Sequence, residues 1–305
     1  MTKNSQKREE MLLLCHHLSG RLGNQFFQSA SVLGLSYSSN RTAIIFSSSF
    51  NGILKKPLLT PEEEQLHKNR CAEARVIGEG SCCRYEEHIV RETVQGQTDI
   101  RLGGYLQSWK YFDRFREQIK IALAFSEQIV RQATEIVQKL RAEHNFTLIG
   151  VHVRRGDYAL DSSKKSGYVM ATREYFHKSM TFFQKLFPNA IFVVACETTE
   201  WCKSNLLQNA STTYLETHSA AVDLSILSQL DHIIISTGTY SWWAGYLNPG
   251  MTVYFKDFIV PGTFIGKQFN EDAKDYLLPQ WIRFDQNVRT FLQTRVCSLL
   301  GSAIL

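Results

Sequence analysis

The stretch Thr147-Leu148-Ile149-Gly150-Val151-His152-Val153-Arg154-Arg155-Gly156-Asp157-Tyr158 decides how the rest of the chain is read. Thr147 to Val153 is rich in apolar and β-branched residues and follows a helix-like segment, which predicts a buried parallel strand. That strand runs straight into two arginines and an acid. In open α/β sheets ligands bind beyond the carboxyl ends of strands, and guanidinium groups there grip phosphate oxygens in a planar, two-pronged fashion. Gly156 lets the chain turn tightly. The competing reading is a solvated turn in which Arg154 or Arg155 merely pairs with Asp157, and the segment alone leaves both open.

Neighbouring segments repeat the strand-then-helix pattern. Upstream, Ser126 to Glu143 places Ile129, Val130, Ala133, Ile136, Val137 and Leu140 on one helical face. Downstream come a helix over Arg173 to Phe187, a strand over Ala190 to Cys196, a helix over Ala221 to Leu230, and strands over His232 to Ser236 and Thr252 to Phe255. Strands alternating with helices predict a parallel, doubly wound sheet. The turn Ser236-Thr237-Gly238-Thr239-Tyr240-Ser241 is a second strand end feeding a helix start, suited to a phosphate through hydroxyl and N–H donors, or else to ordinary N-capping. A third lies near the amino terminus. There a strand over Met11 to His16 leads into Gly20-Arg21-Leu22-Gly23-Asn24-Gln25, where the glycines allow close approach to an anion or a sugar, or form a plain turn. Thr42 to Phe46 predicts one more strand, whereas Asn51 to Gly104 predicts irregular structure with short helices. Tyr105, Trp109, Tyr111 and Phe112 then fit either a carbohydrate-facing wall or a core edge.

Composition narrows the ligand. The chain has 305 residues, 44% of them hydrophobic and 21% charged, enough for two domains with their own cores. Thirty-four Lys plus Arg against 29 Asp plus Glu give a net charge of +5, too mild and too scattered for a nucleic-acid surface, so a small anion fits better. The seven cysteines (Cys15, Cys71, Cys82, Cys83, Cys196, Cys202, Cys297) contain no C-x-x-C pair and predict neither a zinc site nor a disulfide scaffold. Sequons at Asn40, Asn145 and Asn209 would allow glycosylation in a secretory lumen. Met11 to Cys15 is too short an apolar run for a bilayer span or a signal-peptide core, so the chain as written is expected to carry no membrane anchor. Three polar strand ends, one doubly cationic, point to a pyrophosphate held between two α/β halves, with a nucleotide-sugar as one candidate.

At this point the sequence resembles the animal-type family 11 glycosyltransferases, the galactoside alpha-1,2-L-fucosyltransferases of the H and Secretor type. The matching segments are GRLGNQFFQSA at 20–30, GVHVRRGDY at 150–158, FVVACETTEWCKSNL at 192–206 and the run from Asp223 to Phe255 that contains STGTYSWWAGYLNPG. The resemblance implies a GT-B fold of two facing Rossmann-like domains: an acceptor-side domain over 11–143, a GDP-fucose domain over 144–290, and a tail over 291–305 packing back on the first. It places Arg154 on the β-phosphate, with Arg155 assisting and His152 lining the nucleotide pocket. Cys196 and Glu197 fall near the guanine, and Thr239, Tyr240 and Ser241 near the diphosphate. Asp223 is expected to cap or brace its helix, and Arg21, Asn24, Gln25 and Trp109 to position the acceptor or the fucose, with helix capping the rival role for Asn24.

The implied reaction is an inverting transfer of L-fucose from GDP-fucose to the 2-hydroxyl of a terminal galactose on a glycan. The sequence shows no Asp-x-Asp triplet, so no metal and no cofactor are expected: cationic and hydroxyl donors would stabilise the departing GDP. Asp157 is the first candidate for the base, although the adjacent arginines would lower its pKa and leave it only to orient Arg154. The resemblance also implies a Golgi-lumen enzyme of type II membrane topology.

Overall fold

A computed structural model describes residues 11–46, 50–143, 146–207, 211–216 and 219–284. The sequons at Asn145 and Asn209, Cys297 and the tail 291–305 lie outside them, while Asn40 is exposed. The amino-terminal half runs β1 (Leu12–His17), α1 (Leu22–Tyr37), β2 (Arg41–Phe46), α2 (Pro61–Glu73), β3 (Arg75–Gly78), α3 (Glu87–Gln95) and β4 (Ile100–Gly103). These strands make a parallel sheet in the order β2-β1-β4-β3. Then come α4 (Arg116–Ala122), α5 (Glu127–Glu143), β5 (Leu148–Val153), α6 (Asp161–Ser166), α7 (Arg173–Leu186), β6 (Ile191–Cys196), α8 (Thr199–Asn205), β7 (Thr212–Tyr214), α9 (Ala220–Ser228), β8 (His232–Ile235), α10 (Thr239–Leu247), β9 (Thr252–Phe255) and β10 (Ile282–Phe284).

The second sheet is parallel throughout, in the order β10-β9-β8-β5-β6-β7. β5 starts it at the centre. From there the chain winds outward through β6 and β7, then crosses back to β8 and continues through β9 and β10. This is the strand order of a dinucleotide-binding fold, and its winding reverses between β5 and β8. All six residues of β5 are buried, as a central parallel strand covered on both faces requires.

The region from Asn51 to Gly104 is more regular than its composition predicts. It contains the 13-residue α2 and two strands of the first sheet. α2 is polar on every side and among its residues only Cys71 is buried, so no hydrophobic period announces it. Local chemistry starts it instead: the Glu63 N–H donates to Thr60 Oγ1 at 3.2 Å, the Thr60 N–H donates to Glu63 Oε2 at 2.8 Å, and Pro61 occupies the first turn. A second correction concerns the cysteines. Cys15–Cys71, Cys82–Cys83 and Cys196–Cys202 are disulfides. The first joins β1 to α2 across 56 residues, a closure made by the fold that linear spacing does not reveal.

The two halves are joined by aromatic packing. Phe26 and Phe27 of α1 meet Trp242 and Trp243 of α10, with Phe27 and Trp242 ring centroids 4.3 Å apart and Phe26 edge-on to Trp243 at 5.4 Å. Phe112 lies flat on Trp243 at 5.9 Å. Gly34 admits this contact, since a Cβ there would stand 2.4 Å from the Tyr111 carbonyl oxygen. The packing also reaches across the expected boundary. α5 falls before the expected boundary at 143/144 yet lies against the second sheet's layer, with Thr134 donating to Gln229 Oε1 at 3.0 Å and Arg141 paired with Asp231 at 2.8 Å. A segment before β10 also contacts the first half: Trp109 Nε1 donates to the Lys274 and Leu277 carbonyls, and Ser108 Oγ to the Asp275 carbonyl at 2.6 Å.

Phe27 is fully buried at this junction. Phe27→Ala is expected to cost about 3–5 kcal/mol through lost burial and the cavity left behind, read as a lower denaturant midpoint with an unchanged slope.

Candidate active site

A cleft of about 1120 Å³ lies between the carboxyl ends of the two sheets, where the winding of the second reverses between β5 and β8. That volume is just above the roughly 300–1,000 Å³ usual for a small-molecule site, which gives room for two substrates. Its walls come from both halves. Gly20, Arg21, Gly23, Asn24, Glu79, Tyr105 and Gln107 line it from the first, and His152, Arg154, Asp157, Tyr158, Glu197, Thr239 and Tyr240 from the second.

Arg154 leaves the end of β5 with little of its side chain exposed. Nη2 contacts Asp157 Oδ1 at 2.6 Å, Nη1 reaches Glu197 Oε1 at 3.4 Å, and the guanidinium lies 5.1 Å from the Tyr158 ring centroid. Two carboxylates and an aromatic ring therefore fix the plane of the cation. Two glycines make room for them: a Cβ on Gly238 would meet Arg154 Cδ at 3.3 Å and the Tyr158 hydroxyl at 3.0 Å, and one on Gly156 would strike a Glu197 carboxylate oxygen at 2.3 Å. Gly238 has φ +87°, which a side chain would strain further.

Behind Arg154, a chain of hydrogen bonds sets the backbone. The Arg154 N–H donates to Ser236 Oγ at 2.9 Å, Ser236 Oγ lies 3.1 Å from Ser241 Oγ, and Ser241 Oγ lies 2.6 Å from His152 Nδ1. His152 is buried, and that burial, reinforced by the Arg154 charge, pushes its pKa down to about 3, so the imidazole is neutral. The unfolded chain would protonate it at the ordinary value of 6.5, so the unfolded state gains protons first and its contribution to stability is lost as pH falls from 6.5 toward 3.

Across the cleft the amino-terminal loop is held just as closely. Gln28 Oε1 accepts from the Ser19 N–H at 2.9 Å and is hydrogen bonded to His16 Nε2 at 2.9 Å, while Gln28 Nε2 donates to the Ser19 carbonyl at 2.8 Å. Asn24 Oδ1 accepts from Thr239 Oγ1 at 2.7 Å and from Gln107 Nε2 at 3.2 Å, tying the two halves at the cleft floor. Gly23 allows this approach, for a Cβ there would stand 2.5 Å from the Tyr240 backbone nitrogen. Arg21 lies exposed at the edge of the same loop.

Several residues singled out from the sequence sit behind the cleft wall. Gln25 turns inward and donates to the Gly20 carbonyl at 2.8 Å. Trp109 is engaged at the crossing between the halves. Arg155 stacks on Trp201 at 3.9 Å, and Ser241 is buried behind His152. In a strand or helix adjacent residues face different ways, so membership of one stretch does not put every residue on the wall. Asp223, in the first turn of α9, lines the cleft although Ser219 caps that helix through the Val222 N–H, and Cys196 lines it as half of a disulfide. The sequence does not mark Glu79 or Gln107, and offers Ser236 only as part of its turn. Glu79 follows a short edge strand, Gln107 lies in a loop and Ser236 opens a turn of common chemistry, and only the fold brings them here. The disulfide Cys82–Cys83 also lines the first-half wall. Among the described residues there is no group of three or more His, Cys, Asp or Glu side chains placed to hold a metal ion.

A nucleotide-binding sheet facing a second parallel sheet across such a cleft defines a GT-B glycosyltransferase, and comparison with known proteins agrees. The model described as glycosyl transferase family 11 matches residues 2–285, and the chain belongs to that family. Galactoside alpha-(1,2)-fucosyltransferase 1 of Ateles belzebuth is 29% identical over 277 residues, covering 86% of this chain and 72% of that protein. The protein of the same name from Gorilla gorilla gorilla is 28% identical over 285 residues, covering 87% and 72%. The fucosyltransferase NodZ from Bradyrhizobium superposes with a TM-score of 0.51 at 15% identity, over 79% of this chain and 93% of that one, which supports the fold. A NodZ alpha-1,6-fucosyltransferase structure soaked with GDP-fucose gives 0.50 at 15% identity, over 79% and 94%.

Gly23→Ala is expected to part the halves at the cleft floor and weaken GDP binding at least tenfold with the aromatic core intact. Calorimetric titration with GDP, beside a circular dichroism melt, reads both.

Proposed function

We propose that this chain transfers L-fucose from GDP-fucose to the 2-hydroxyl of a terminal galactose on a glycan, by a single inverting displacement. The observation that carries this is Arg154: a cation at the point where the nucleotide-type sheet reverses its winding, held in plane by Asp157 and Glu197, above a cleft shared with the Asn24 loop. The linkage rests on the alpha-(1,2)-fucosyltransferases to which the chain is similar and on the four sequence segments it shares with that family.

Breaking the bond between fucose C1 and the β-phosphate oxygen leaves negative charge on GDP and oxocarbenium character on the sugar. A fixed guanidinium opposite that oxygen stabilises the charge as it develops, without reorganising at the moment of reaction. The amino end of α10 faces the same cleft through Thr239 and Tyr240, where the first N–H groups of a helix point outward and favour an anion. Neutral His152 supports the backbone from behind and adds no competing charge. With these donors present, transfer is expected to need no metal.

Asp157 has a close partner in Arg154, and that contact supports an orienting role for it. Glu197 shares the task and stands beside Cys196, toward the region assigned to guanine, where Leu215, Glu216 and Asp223 also line the wall. The acceptor would enter past Asn24 and Arg21. The disulfides suit an oxidising compartment, which supports a lumenal setting of the Golgi kind together with the exposed sequon at Asn40. No helix among the described residues is long and apolar enough to cross a membrane.

Incubation with GDP-fucose and a β-galactoside should release GDP and yield a product whose linkage NMR reads as alpha-1,2. Arg154→Ala should lower kcat by roughly 10²–10³-fold, the loss expected for removing one charge-stabilising donor, with melting temperature nearly unchanged. Near-normal turnover in that variant would sink the phosphate assignment. EDTA should leave the rate within twofold, and abolition of transfer restored by Mn²⁺ would contradict the metal-free reading.

A further inference from the structure

The displacement proposed above needs a proton acceptor on the side of the sugar away from the leaving group. Asp157 stands on the leaving-group side with its carboxylate on Arg154. The opposite wall offers Glu79, the residue directly after β3, at the carboxyl end of a strand in the first sheet. Its setting is specific. The Tyr105 N–H donates to Oε1 at 2.5 Å and the Leu106 N–H to Oε2 at 2.8 Å. Two of the three residues that form this seat have positive φ: Gly104 at +104° and Leu106 at +52°. A Cβ on Gly104 would overlap the Glu79 carboxyl carbon at 2.4 Å. Leucine rarely adopts that backbone conformation, and such outliers persist where surrounding structure enforces them, often at functional sites.

We propose that Glu79 is the catalytic base, its carboxylate accepting the proton of the galactose hydroxyl. The proposal rests on the inverting fucosyl transfer inferred above. In the step, the acceptor O–H proton passes to a Glu79 oxygen while the acceptor oxygen bonds to fucose C1. The bond from C1 to the β-phosphate oxygen breaks, and its electron pair leaves with GDP on Arg154. Each carboxylate oxygen carries two acceptor sites, so the N–H donors of Tyr105 and Leu106 fix the group without exhausting it. Partial burial raises the Glu79 pKa, the same N–H groups pull it back, and the Glu86 carboxylate from the loop before α3 raises it again. Arg21 and Tyr105 are the other charged or titratable groups that line this side of the cleft. A carboxylate raised in this way is a stronger base than a free one.

The wild-type enzyme, Glu79→Gln and Asp157→Asn should be compared for transfer from GDP-fucose to a β-galactoside across pH 4.5–8.5. Calorimetric GDP affinity and melting temperature are read alongside. Glu79→Gln is expected to bind GDP as the wild type does, lose roughly 10²–10⁴-fold in kcat, and lose the acid limb of the pH profile. Asp157→Asn should keep that limb while falling in rate through Arg154. Should Glu79→Gln fail to fold, the Asp157→Asn profile still decides, because loss of its acid limb assigns the base to Asp157. Glu79→Gln within tenfold of wild-type kcat, or with the acid limb intact, would overturn the proposal. Inactivity of the wild type toward GDP-fucose would instead overturn the fucosyl-transfer reading itself.

Discussion

The close approach of α1 to α10 is the constraint on which this protein depends. Gly23 lies against the Thr239–Tyr240 backbone where a side chain would collide, and Asn24 accepts a hydrogen bond from Thr239 across the join. Just beneath, Phe26, Phe27, Trp242 and Trp243 fill the space between the sheets. Such aromatic pairs add about 0.5–1.5 kcal/mol each beyond their buried area, so the cleft has a stiff floor. Both sheets point their carboxyl ends over it, and no contact made by Arg154 or Glu79 would have meaning if that floor opened. Specificity for two substrates therefore begins as a packing problem between two helices.

Electrostatics then divides the cleft. On the side of the second sheet a guanidinium is oriented by two carboxylates, a tyrosine ring and a backbone bond to Ser236. This ordering matters because an arginine on a free stem loses much of its value to rotamer entropy and solvent screening. On the opposite side a carboxylate is seated on two N–H groups of a strained turn. The two sites are built on the same plan: each sits at the carboxyl end of a parallel strand, β5 for Arg154 and β3 for Glu79, and each depends on a glycine that leaves room for its partner. Opposite charges facing across a cleft suit a reaction in which one substrate sheds a proton as the other sheds an anion.

The strand pattern of the second sheet was legible because buried parallel strands are rich in apolar and β-branched residues, as in Leu148–Val153 and His232–Ile235. The first half was legible only in part. β3 and β4 have four residues each and α2 is polar all round, so neither shows a period, although Thr60, Pro61 and Glu63 do mark where α2 starts. The disulfide pairs escaped for a related reason, since Cys15 and Cys71 are neighbours only after β1 and α2 have packed.

By itself the sequence determined the residue chemistry at the carboxyl ends of the strands: a strand ending in Arg154, hydroxyl-bearing turns, and glycines at the two loops that approach each other. Those features are local, and local chemistry can be read along a chain. The tertiary structure decided which of them face the cleft. It turned Arg155 onto Trp201, placed Ser241 behind His152 and Gln25 behind its own loop, and brought Glu79 from an edge strand to the wall opposite Arg154. Adjacent residues point in different directions, and residues 75 positions apart come to line one cleft only when two sheets share one floor. The direction of a side chain is a property of the packed molecule.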